Sequence, residues 1–110
     1  MITVTMSMQV PQEKTKEFLQ TILLIVKSVR GEQGCLSCHF YQDMEDDTKF
    51  RLVGKWAKQE DMKNHLRSDI FSILLGAMNL LQEDPDVRFY VGSCTGKGME
   101  AVNMVRAQAQ

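Results

Sequence analysis

Ile2, Val4, Met6 and Met8 alternate with polar or small residues, the period-two pattern of a half-buried strand. The period lengthens after Pro11, which suits the first position of a helix, with Gln12 and Glu13 in its first turn. Phe18, Ile22, Val26 and Val29 then recur at three- and four-residue spacing, and Leu19 and Leu23 widen the stripe. Gly31 and Gly34 bracket the exit from this helix. Alternation returns over Cys35 to Gln42, where Leu36, Cys38 and Phe40 share one face and Cys35, Ser37, His39 and Tyr41 the other. Lys49 to Ala57 reads the same way, with Phe50, Leu52, Gly54 and Trp56 opposing Arg51, Val53 and Lys55. Between these two strands Met44-Glu45-Asp46-Asp47 suits a hairpin connection.

A short helix follows over Gln59 to Arg67, with Met62 and Leu66 inward. Ser68 caps a second helical segment whose buried stripe is Phe71, Leu74, Met78 and Leu81. Asp84-Pro85-Asp86 ends it, and Val87 to Thr95 alternates once more, with Val87, Phe89 and Val91 on one side. Gly96 and Gly98 precede a weakly amphipathic tail, Met99 to Gln110. The order β-α-β-β-α-β predicts an α+β, ferredoxin-like sandwich: an antiparallel sheet with its helices on one face. A single domain is expected, with a core over about residues 1–95 and a tail over 96–110. The uncovered face retains some apolar side chains, so a homodimer burying that face is expected.

Composition narrows the function classes. The 110 residues carry a net charge of −1 and no run of Lys or Arg, which argues against nucleic acid or an anionic membrane as partner. No apolar run approaches the ~20 residues that cross a bilayer, and the first residues do not resemble a secretory signal. Three cysteines without a framework spacing suggest free thiols and a cytoplasmic location.

The stretch Gly34 to His65 carries the candidate chemistry. Trp56 closes the second hairpin strand nine residues before His65, so an aromatic plate and an imidazole can meet at one pocket. The same stretch contains Cys35-Leu36-Ser37-Cys38-His39, the spacing of covalent haem attachment. In an extended strand Cys35 and Cys38 point to opposite faces, so this match is read as coincidence. One Cys-x-x-Cys with a distant Cys94 also lacks the paired knuckles of a zinc site, and the motif does not open a helix as a redox pair would.

Gly34-Cys35-Leu36-Ser37-Cys38-His39-Phe40-Tyr41-Gln42-Asp43 resembles the Gly-Cys-Leu-x-Tyr-x-x-Tyr-x-Asp stretch of the antibiotic biosynthesis monooxygenase (ABM) family. Phe50, Leu52, Trp56, His65, Leu66, Ser68 and Phe71 follow in that family's order and spacing, and the similarity runs from Thr3 to about Thr95. The resemblance implies a dimeric α/β barrel. It also implies one of several activities: oxidation of a quinol or phenol by molecular oxygen without a cofactor, haem degradation, or binding of a small metabolite without turnover. Cys38 stands where a Tyr is common, and the first strand has Ser7 and Gln9 where haem-degrading members have an Asn.

The leading expectation is a cofactor-independent monooxygenase acting on a planar phenol or quinol, with haem as the alternative cofactor-bound reading. Removing a phenolic proton near neutral pH suits His65 as general base. Trp56 could stack on the ring and donate its indole N–H to a developing oxyanion. Phe40, Cys38, Leu52, Phe71 and Met62 are the expected substrate contacts. Arg51 and Lys55 could stabilise the anion but lie on the strand face opposite Trp56. His39 is assigned to the dimer seam. Either His65 or Trp56 could instead be plain structure, a helix-end charge and a core aromatic.

Overall fold

The computed structural model describes residues 1–92, 94 and 96–108. The elements are β1 (Ile2–Gln9), a 3-10 turn (Gln12–Lys14), α1 (Thr15–Val29), β2 (Cys35–Gln42), β3 (Lys49–Trp56), α2 (Gln59–Leu66), α3 (Asp69–Met78), β4 (Asp86–Val91) and α4 (Gly98–Gln108). The strands form one antiparallel sheet in the order β2-β3-β1-β4, and the α+β fold is ferredoxin-like. Among the described residues, no helix is long and apolar enough to cross a membrane.

The strand patterns hold because β1 is central and must bury one face. Ile2, Val4, Met6 and Met8 are all buried, and Phe50, Leu52 and Trp56 of β3 lie on the same side. Phe18, Ile22, Ile25, Val26 and Val29 of α1 close over them. Leu23 departs from its expected place in that stripe, for it is 58% exposed, and Ile25 takes the inward position. The hairpin turn is held by its acids: Asp43 Oδ1 accepts from the backbone N–H groups of Glu45 and Asp46, at 2.7 and 3.2 Å. Asp46 Oδ1 accepts from the Thr48 hydroxyl and N–H, and these bonds hold its carboxyl below the usual range.

Strict alternation fails at the start of β2. Cys35 pairs with Trp56 and Ser37 with Lys55, so Leu36 is an extra residue in a bulge. Cys38 pairs with Gly54, which puts Cys35 and Cys38 on the same, helix-covered face rather than on opposite faces. The bulge turns Leu36 outward, and it is 57% exposed. His39, opposite Val53, remains on the outer face. Both thiols and this imidazole are therefore on two sides of the sheet, and the haem-attachment match still finds no common centre.

The uncovered sheet face is more polar than expected. It presents Thr3, Thr5 and Ser7 from β1, Arg51, Val53 and Lys55 from β3, and Arg88 and Tyr90 from β4. Exposed apolar surface lies instead on the inner side of β4, where Val87, Phe89 and Val91 register with Met6, Val4 and Ile2. α1 packs on β2 and α2 on β3, whereas β4 packs chiefly beside β1. Strand β4 ends at Val91; of the longer run expected, Ser93 and Thr95 lie outside the described residues. The tail forms α4, which buries no residue, and 109–110 lie outside the described set.

Candidate active site

Three local devices bring the site together. The turn after α1 is tight: Glu32 N–H donates to Val29 O at 3.0 Å, and Cys35 N–H to Glu32 O at 3.2 Å. Gly34 adopts φ +80 there, and its missing side chain leaves room for Asp61 of α2. Gly34 O also accepts from Ala57 N–H at 2.9 Å, tying this turn to the end of β3. The result holds Glu32 against α2.

The second device is Ser68. Its hydroxyl donates to His65 O at 2.6 Å and accepts from Phe71 N–H at 3.2 Å, ending α2 and capping α3 with one side chain. His65 and Phe71 are thereby fixed relative to each other, with rings edge to face and centroids 5.3 Å apart. The third device is Gly54. A methyl group there would come within 3.3 Å of Trp56 Nε1, so the indole lies across bare backbone.

His65 sits at the centre. Its ring stacks on Trp56 with centroids 4.6 Å apart and an interplanar angle of 27°. Its Nδ1 lies 2.7 Å from Glu32 Oε2, and the two side chains are 10% and 23% exposed. A carboxylate oxygen can only accept, so Nδ1–H is the donor and the neutral ring keeps its lone pair on Nε2. Neither Nε2 nor the indole N–H of Trp56 has a hydrogen-bond partner among the described residues. The arrangement is that of an oriented imidazole with an aromatic wall on two sides.

Trp56, His65, Phe71, Cys38 and Leu52 line one small cavity of about 30 Å³ between sheet and helices. The structure thus brings five of the sequence candidates to one place. Phe40 and Met62 are not among its lining residues: Phe40 stacks on Phe50, with centroids 5.2 Å apart, and Met62 is buried in the core. Arg51 lies on the other face, donating from Nε to Ser7 Oγ at 3.1 Å, and Lys55 shares that face. His39 is also there, exposed and 3.4 Å from Arg30 Nη2.

Burial, and then the neighbouring Cys35, push the Cys38 thiol up to about 11, so it lines the cavity as a neutral, inert group. Burial raises the Cys35 thiol as well. Glu32 was missing from the sequence candidates because 33 residues separate it from His65. Its one signal was position: an acid between two glycines, directly before the strand that carries the recognisable motif.

Among the described residues no group of three or more His, Cys, Asp or Glu side chains is placed to hold a metal ion. The cavity of about 30 Å³ is too small for a porphyrin as it stands, and His65 is enclosed by Glu32, Trp56 and Phe71.

Comparison with known proteins agrees with this fold. The family model described as antibiotic biosynthesis monooxygenase matches residues 1–72. An uncharacterised protein of Synechocystis is 24% identical over 90 residues, 81% of this chain, and the chain spans 61% of that curated relative's length. The crystal structure of a conserved protein from Methanosarcina mazei aligns with a TM-score of 0.79 and 25% identity, covering 84% of this chain and 92% of the other. One from Deinococcus radiodurans, provisionally assigned as an antibiotic biosynthesis monooxygenase, aligns with a TM-score of 0.83 and 20% identity, covering 90% and 99%.

Proposed function

Since the chain belongs to the antibiotic biosynthesis monooxygenase family, we propose that it oxidises a planar phenol or quinol with molecular oxygen and without a bound cofactor. The observation that carries this reading is the pairing of Glu32 with His65, set between Trp56 and Phe71 at a cavity wall.

Glu32 holds the imidazole so that Nε2 takes the phenolic proton. The electron-rich anion left behind is what reacts with oxygen. The substrate gains one oxygen atom and gives up two hydrogens, the second oxygen leaves as water, and no external reductant is needed. Trp56 stacks on the ring, and its unpartnered indole N–H faces developing negative charge. Phe71, Leu52 and Cys38 supply apolar contact.

A ring cannot enter a cavity of about 30 Å³ as it stands. Apolar cavities that accept benzene measure ~150 Å³. In this proposal α3 moves aside, because it buries just Leu74 and Met78 of its own residues while carrying Phe71 over His65. The reading also includes a homodimer formed through the outer sheet face. That face has cations, Arg51, Lys55 and Arg88, along its middle and acids, Asp43, Glu83 and Asp84, at one end. A second copy related by a two-fold axis that passes between these two zones sets opposite charges against one another. A cytoplasmic location is part of the same proposal, since Cys35, Cys38 and Cys94 are free thiols.

Oxygen uptake by the purified protein, measured against a panel of quinols and anthrone-like phenols, tests the reading. Uptake well above spontaneous oxidation, abolished by His65→Ala, is the expected result. Absence of uptake across the panel overturns it.

A further inference from the structure

Resting on the oxygenase reading, we propose that the substrate is a quinol or phenol bearing an apolar chain. Its ring sits in the cavity beside His65 and Trp56, and its chain lies across the sheet onto the inner side of β4. Strand register is the first argument. Cys38 of β2 pairs with Gly54 of β3, Gly54 with Val4 of β1, and Val4 with Phe89 of β4. These residues form one row across the inner face, and the first three line the cavity. The row is low, because Cys38 and Val4 are short and Gly54 has no side chain. Taller residues flank it, Trp56 and Ile2 on one side and Leu52 and Met6 on the other. The result is a trough that starts in the cavity and runs toward β4.

The two ends of the trough differ in chemistry. At the closed end Trp56 is 1% exposed and the His65 side chain 10%, and Nε1 of one and Nε2 of the other have no hydrogen-bond partner among the described residues. Two buried, unpartnered nitrogens suit a hydroxyl group. Toward the open end Val4 is 8% exposed, the largest value among the inward residues of β1, and beyond it Phe89 is 50% and Val87 40% exposed. That end offers apolar carbon and water, and an apolar chain laid on it gains by burial. The ligand that fits is polar at one end and apolar at the other.

Length and twist select a chain over further fused rings. Two strand spacings of ~4.8 Å put Phe89 roughly 10 Å from Gly54, so a single ring held at His65 stops short of β4. The sheet also turns by about 20–25° from strand to strand, which a flexible chain follows and a flat ring system does not. The movement of α3 that admits the ring opens the same trough, because Leu74 of α3 lies over the cavity.

Methylhydroquinone and hexylhydroquinone are the probes. Each fully buried methylene favours binding about fourfold, so even on a half-open strip the hexyl compound should have a KM at least tenfold lower. Phe89→Asp should bring the two KM values close together, whereas Leu24→Asp, on an exposed part of α1, should leave their ratio as it was. Equal KM values in the wild type, or an unchanged ratio in Phe89→Asp, overturn the proposal. Loss of the dimer in Phe89→Asp, seen by analytical ultracentrifugation, also overturns it, because a second copy then covers the strip. Binding is read apart from turnover by titrating the valine-labelled protein without oxygen and following its methyls by NMR. Both quinols should give saturable shifts at Val4, and hexylhydroquinone alone at Val87. Shifts at Val87 that match those at Val102 of α4 count against the trough. Oxygen uptake with both quinols at equal KM sinks the chain site and leaves the oxygenase reading standing. Saturable shifts at Val4 and Val87 without oxygen uptake sink the oxygenase reading and leave a binding site for such quinols.

Discussion

The chain's two histidines lie on opposite sides of one sheet, and little else about them agrees. His65 is 10% exposed, held through Nδ1 by a carboxylate and walled by two aromatic rings. His39 is exposed, with Arg30 as its polar neighbour and Tyr41 at a centroid distance of 6.2 Å. The same contrast runs through the faces they occupy. Around His65 the inner face is apolar and packed down to a cavity of about 30 Å³, whereas the outer face is open and charged. What recommends an imidazole as a base is an orienting acceptor and a dry wall, which the inner face has and the outer face lacks.

Replacing each histidine in turn should break that comparison most sharply. His65→Ala is expected to lower kcat at least ~100-fold, the usual contribution of a positioned base. His39→Ala should stay within about twofold, since it touches neither ring nor cavity. Oxygen-electrode kinetics on both variants settles it, and equal losses would end the distinction between the faces.

Neighbouring residues on β3 give the next largest contrast. Leu52 is 8% exposed and lines the cavity, while Val53 points to the outer face. Leu52→Ala should cost ~2–5 kcal/mol in urea unfolding, through lost burial and an enlarged void. Val53→Ala should cost about 1 kcal/mol or less. Similar midpoints for the two variants would show that the inner face is not the main source of stability.

A third contrast is one of pH. Burial raises the Cys38 thiol from its ordinary 9.0 to about 11. A group whose pKa is higher in the folded state gives stability that is complete below the unfolded value and is lost as pH rises through the folded one. Stability should therefore fall between pH 9 and 11, by roughly 2–3 kcal/mol. Cys38→Ala should flatten that slope while lowering stability at neutral pH; an unchanged slope would mean that another group governs it.

How far the sequence foretold these faces varies by element. β1 was legible because a central strand buries every second residue, and Ile2, Val4, Met6 and Met8 leave no other register. The acidic turn and the Ser68 cap were legible because their bonds are local. Leu36 was misread, since a single extra residue in β2 reverses the faces before it, and nothing in period-two alternation announces a bulge. Leu23 was misread for a related reason. A helix of mixed apolar residues offers several stripes, and tertiary packing chose Ile25. Trp56, His65 and Phe71, which the motif named, line the cavity; Phe40 and Met62, named as contacts too, do not line it, because a shared face or stripe does not measure distance along the sheet. Glu32 could be located by three-dimensional packing and by no periodicity at all.

Glu32 supplies the finest test of the inner site. Glu32→Gln keeps the side chain's size and can still offer an acceptor oxygen to Nδ1–H, but the charge is gone and the amide can turn its NH2 toward the ring instead. The neutral imidazole then loses its reason to keep the proton on Nδ1. Both tautomers become populated, and a share of the protein presents Nε2–H, which cannot accept a proton. Because Glu32 is 23% exposed rather than sealed, the penalty should be modest: about tenfold in kcat, well short of the ~10⁴ seen when a buried triad carboxylate is neutralised, with KM for the phenol unchanged. Imidazole ¹⁵N shifts should move from an Nδ1–H pattern toward an average of the two forms, a readout that loosened packing alone does not produce. Combining Glu32→Gln with His65→Ala should add nothing to the loss from His65→Ala, because Glu32 acts through that ring. A full additional tenfold loss in the double variant would mean that Glu32 meets the substrate directly, and the dyad would have to be redrawn.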